Sequence, residues 1–220
     1  MEQSILGSFY SWGGYSIYLS SYLKSNDHNI QSDLVSLIFP FMNIVMNALI
    51  PFGERIIAKA GLKNVVFVGI AFLSTFFQLL SIIKNFYLIA FIYIFCIAPI
   101  YGILYMVPFL CSWRYFPTKP GEVNAILQAG YGFGSAIFSY FSYIIVNYQN
   151  DQPKRNEYEN GENSVYFEEC ISYNTPSMMT FFAVSFVILG TFSLIFLKNN
   201  NAGLLQSYHY YQVVKQKNQN

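Results

Sequence analysis

The sequence predicts an all-α membrane protein of six transmembrane helices, on three observations. Hydrophobic residues fill 54% of the 220 positions and charged residues only 10%, too apolar a balance for a soluble domain. Six apolar runs approach or exceed the roughly 20 residues a helix needs to cross a bilayer. None of them alternates with period two, as the strands of a membrane barrel would.

The spans fall at 4–23, 34–53, 65–83, 86–112, 123–146 and 178–197. The first follows Met1-Glu2-Gln3 without a basic leader and is rich in Tyr and Trp, so it reads as a retained span and not as a cleaved signal. Along it Ser11, Tyr15, Tyr18 and Tyr22 form a polar stripe, with Trp12 in mid-span. The second carries Ser36, Pro40, Asn43, Asn47 and Pro51 at helical spacing. Amides are disfavoured against lipid, so this stripe faces protein or water. It serves either as interhelical hydrogen-bonding glue or as cavity lining. The third span is apolar. The fourth has Tyr101, Tyr105 and Ser112 on one side, with Pro99 and Pro108 as expected kinks. The fifth carries Gln128, a lone amide that needs a partner, followed by Gly130, Gly132 and Gly134. Those glycines read as helix packing, because Gly130-x-x-x-Gly134 removes side chains from one face and admits a neighbouring backbone.

Eight of the twelve basic residues share one side: Arg55, Lys59, Lys63, Arg114, Lys119, Lys198, Lys215 and Lys217. The positive-inside rule therefore predicts a multi-pass protein with both termini in the cytoplasm. The acidic segment 148–177 then lies outside as a poorly structured loop. The domain reading is one transmembrane unit, 1–198, and a polar cytoplasmic tail, 199–220, in which a short interfacial helix at 204–214 is conceivable.

Several classes are excluded. The net charge of +1 and the lack of a Lys/Arg cluster argue against nucleic acid or a polybasic surface anchor. Cys96, Cys111 and Cys170 suggest neither a disulfide nor a metal site. No catalytic pair, cofactor motif or phosphate loop is present, so no enzyme chemistry, metal or cofactor is expected. No span carries an ionisable acid, base or His at its centre, which removes the usual mark of a proton relay.

Three segments carry a family pattern: Gly102-x-x-Tyr105-x-x-Pro108, Tyr115-Phe116-Pro117-x-x-x-Gly121, and Gly130-x-Gly132-x-Gly134. They resemble the fourth and fifth spans of the major facilitator superfamily, nearest its oxalate/formate-antiporter and monocarboxylate-transporter-like branch. There the turn reads much like Trp-Phe-Pro-Asp-Lys-Arg-Gly and is followed by Gly-Phe-Gly-x-Gly. This chain departs at Tyr115, at Pro120 and at Asn124-Ala125. The superfamily's loop between spans two and three is half-matched by Lys59-x-Gly61-x-Lys63. Ala58 replaces its acid, and Glu54 and Arg55 stand one turn earlier.

The resemblance implies the amino-terminal half of a transporter: one half of a major-facilitator-type bundle, made of two inverted three-helix repeats. It implies transport of a small organic anion, a monocarboxylate or dicarboxylate, by alternating access against a second half from self-association or another chain. Spans one and four line the path in that family, so Trp12, Tyr15, Tyr18, Tyr101 and Tyr105 become path candidates beside Asn43, Asn47 and Gln128. The competing expectation is a non-transporting half-length relative that associates with full-length transporters in the bilayer.

Overall fold

The computed structural model describes residues 2–26, 30, 32–157, 163–167 and 173–197. It is predominantly helical. Five stretches are long and apolar enough to cross a membrane: Asp33–Ala60, Leu62–Leu80, Phe86–Tyr115, Pro120–Val146 and Thr175–Phe196. The expected first span is helical but broken into α1 (Glu2–Gly7), a 3-10 turn (Ser8–Ser11) and α2 (Trp12–Asn26). The break has a local cause. Ser8 Oγ donates to the Ile5 carbonyl and Ser11 Oγ to the Ser8 carbonyl, each at 2.6 Å. Both bonds reach three residues back, drawing on carbonyls that a regular α-turn would use, and they accompany the tighter 3-10 winding.

A short α3 (Ser32–Ser36) leads into α4 (Ile38–Ala60), which is followed by α5 (Leu62–Leu80). The fourth rod is α6 (Phe86–Phe91), a π-helical segment (Ile92–Ile97) and α7 (Ala98–Tyr115). The wide π turn stands directly before Pro99, whose ring and missing N–H disrupt regular α bonding. After it come α8 (Pro120–Val146) and α9 (Thr175–Phe196).

Two connections differ from expectation. Helix α4 continues well past residue 53, so the loop expected between spans two and three shrinks to Gly61, and Glu54, Arg55 and Lys59 lie on the last turns of the helix. Gly61 adopts φ 82°, a conformation that side chains disfavour, while its N–H closes on the Ile57 carbonyl at 2.9 Å. The segment expected as an unstructured loop is not structureless: β1 (Lys154–Glu157) pairs antiparallel with β2 (Asn163–Tyr166), Lys154 opposite Tyr166. The Phe167 N–H, just beyond β2, donates to Ser21 Oγ at 2.9 Å, and the Phe167 ring lies 5.0 Å from that of Tyr18, which fastens the segment to α2. The tail 199–220 and Cys170 lie outside the described residues.

The helices do not pair in chain order. Helix α1 lies on α8, α4 on α7, and α5 on α9. Between apolar helices in lipid the attraction is close packing, so glycines mark the contacts. A Cβ at Gly7 would strike the backbone of α8 at Tyr131, and one at Gly134 would strike Ser4. In the α4–α7 pair, a Cβ at Gly53 would come within 2.8 Å of the Ile103 carbonyl oxygen, and one at Gly102 within 2.5 Å of that of Met46. Aromatic rings fill the centre: Phe77 meets Phe186, and Phe138 meets Phe182, both at 5.0 Å between centroids.

Candidate functional site

The sequence-predicted polar residues separate into two groups. Trp12, Tyr15, Tyr18 and Tyr101 are enclosed, none more than 5% exposed. The Trp12 ring sits edge-on to Tyr15 and Tyr93, at 5.4 and 5.1 Å. The Tyr101 hydroxyl lies 2.6 Å from Ser8 Oγ. Ser8 already gives its proton to the Ile5 carbonyl, so Tyr101 is the donor in that contact. A chain without any partner already hides these four side chains, so none offers a surface to a solute in this conformation.

Asn43, Asn47, Tyr105 and Gln128 behave differently. Asn43 and Tyr105 are part-exposed, while Asn47 and Gln128 are exposed. Asn43 Nδ2 donates to the Phe39 carbonyl at 3.0 Å and Asn47 Nδ2 to the Asn43 carbonyl at 2.8 Å. Each amide therefore bonds back onto its own helix. Gln128 Nε2 on α8 donates to the Tyr105 hydroxyl on α7 at 2.8 Å. Because that oxygen accepts, the Tyr105 proton is left to donate elsewhere.

Two residues not singled out from sequence complete this face. Tyr131 stacks edge-on against Tyr105 at 6.1 Å and Tyr10 at 5.3 Å. Its hydroxyl is buried and lacks a hydrogen-bond partner. Tyr10 is half-exposed and meets Phe39 at 5.8 Å, one turn from Asn43 on α4. Only knowing that α1 lies on α8 would have drawn Tyr10 and Tyr131 together. The result is an open polar face of tyrosines and amides contributed by the first stretch, α4, α7 and α8. It offers the phenol proton of Tyr105, with the Tyr131 hydroxyl buried behind it, and a hydrogen-bond donor with no fixed charge suits an anion without the desolvation cost of a buried cation.

The other predicted residues have simple placements. Gly134 makes the close contact with α1, and a Cβ at Gly130 would meet Gln3 at an ordinary 3.6 Å. Gly132 takes no part in packing within this chain: a Cβ there would meet nothing within 4 Å, because it points to the open face of α8. The Arg55 guanidinium lies 5.9 Å from the centre of the Phe52 ring. Trp113 Nε1 donates to Asn124 Oδ1 at 2.8 Å, tying the ends of α7 and α8 across their turn. Cys96 and Cys111 are unpaired. Among the described residues no group of His, Cys, Asp and Glu could hold a metal ion.

No family model matches the chain, and no solved structure matches it. One curated relative is apicoplast pyruvate carrier 1 of Toxoplasma gondii, 27% identical over 94 residues. The match covers 40% of this chain and 17% of the relative, so the chain aligns with less than a fifth of that protein's length. The similarity, together with the apolar helices, points at its coarsest to a multi-pass membrane protein related to a carrier.

Proposed function

We propose that the chain forms one six-span half of a major-facilitator-type transporter and moves a small organic anion, a monocarboxylate or dicarboxylate, against a second half. The observation that carries this reading is the open polar face with the free phenol proton of Tyr105. Amides and tyrosines on an outer surface call for a protein or aqueous partner in place of lipid. The helix pairing supports it as well. Exchanging span one with four, two with five and three with six turns the α1–α8 contact into the α7–α4 contact and returns α5–α9 to itself, as two repeats would. The matched relative is named as a pyruvate carrier, which favours a carboxylate. Residues 1–198 make the half-domain and 199–220 a tail, with both termini cytoplasmic. Glu54, Arg55, Lys59, Gly61 and Lys63 form its cytoplasmic turn.

Uptake of labelled pyruvate into liposomes tests it, with the chain alone and with a co-expressed second half. Tyr105→Phe is expected to raise KM while leaving the bundle folded. Uptake absent under both conditions overturns the transport reading. The enclosed interior favours one alternative, a half that docks on full-length transporters without transporting. Crosslinking that recovers only monomer removes it.

A further inference from the structure

A second polar site lies away from the open face, where the start of α1 meets the last turn of α9. Glu2 Oε1 there accepts a hydrogen bond from Ser193 Oγ at 2.8 Å. No Lys or Arg among the described residues forms an ion pair with this carboxylate; the pair between described side chains is Lys119 with Glu122. Burial raises the pKa of this carboxyl, offset only in part by the Ser193 hydrogen bond and the chain's amino end, so a cation beside it would favour the ionised form. Beside it Gln3 is 5% exposed, and both its amide oxygen and its amide nitrogen lack hydrogen-bond partners. Unsatisfied buried amides are costly and rare.

Both side chains line a groove of about 560 Å³ that also takes in Ser112 and Cys111. Its outer walls are apolar and face outward: Ile126 is 72% and Phe196 73% exposed. The groove thus has a carboxylate and an amide at its polar end and lipid-facing hydrocarbon along its sides. It lies at helix ends, the depth of bilayer headgroups. The missing element is a cation that can also donate hydrogen bonds.

We propose that Glu2 and Gln3 form a binding site for a primary ammonium group, supplied by an aminophospholipid headgroup or by a small free amine. The ammonium places one N–H on the free Glu2 oxygen and another on the Gln3 carbonyl oxygen, while acyl chains cover Ile126 and Phe196. A quaternary ammonium has no N–H and fails at both contacts. The Met1 amino group is a competitor by its place in the chain, and acetylating it removes that competition.

Native mass spectrometry of the acetylated full chain tests the site, with phosphatidylethanolamine, phosphatidylcholine or free ethanolamine added. Retention of phosphatidylethanolamine over phosphatidylcholine supports the proposal. So does a roughly tenfold fall in that preference in Glu2→Gln, the size of one lost charge-assisted hydrogen bond. Ethanolamine that displaces the lipid at modest concentration assigns the site to free amines, and failure to displace it assigns the site to the lipid. Equal retention of both lipids by the wild-type chain overturns the proposal without recourse to any variant. A preference unchanged in folded Glu2→Gln overturns it as well.

Discussion

Tyr101 and Tyr105 stand one helical turn apart on α7, and the fold treats them oppositely. Tyr101 is sealed inside, donating to a serine whose own proton is already committed. Tyr105 is part-exposed, accepts from Gln128 and keeps its proton free. The same contrast separates the whole interior from the whole face. Inside, polar groups are mostly satisfied and hold helices together, while outside Asn43 and Asn47 bond back to their own helix and Gln128 bonds across to Tyr105, leaving capacity for something beyond the chain. A polar residue in a spanning helix is therefore not by itself a solute contact.

The sharpest way to break this contrast is to add a side chain on each side of α8. Gly134→Leu, which would drive into the Ser4 backbone, is expected to cost more than about 3 kcal/mol, beyond ordinary overpacking because backbone cannot yield. The variant should fail to give a monodisperse peak in detergent. Tyr101→Phe should cost about 1 kcal/mol, one interhelical hydrogen bond in a membrane, read as a lower thermal midpoint with pyruvate uptake retained. Gly132→Ala, with open space around it, should gain roughly 0.5 kcal/mol from the better helix former. Asn43→Leu with Asn47→Leu should shift stability by less than about 0.5 kcal/mol. The same double variant should abolish association with a second half in crosslinking. Loss of the fold in that variant would mean that the amides are interior glue after all.

Much of the helical layout was legible. Apolar runs located four of the five long helices to within three residues at each end, while α4 runs seven residues past the end expected at 53. The 3-10 turn was not, because Ser8 and Ser11 look like ordinary small residues until their hydroxyls bond to carbonyls three residues back. Four residues along an α-helix turn it by about 40° beyond a full circle. Tyr101 and Tyr105 therefore share a stripe in the sequence yet fall on opposite sides of the contact with α1. Gly7, Gly53 and Gly102 were unreadable as contacts for a related reason. Their importance depends on which helix lies opposite, and chain order does not reveal that. Nothing in the sequence marked Glu2 and Gln3, because residues of α8 and α9 wall them in.

The out-of-order pairing of helices also bears on how the protein is made. Gly7 cannot meet Gly134 until nearly two thirds of the chain has been translated. At about 5–20 residues per second α1 waits on the order of ten seconds for its partner. Until α7 and α8 follow, Ser8 in the adjoining 3-10 turn lacks Tyr101 and Tyr10 lacks Tyr131. Biogenesis of this bundle therefore demands a protected waiting state at the insertion machinery, and Glu2 gains its bond from Ser193 only when α9 arrives.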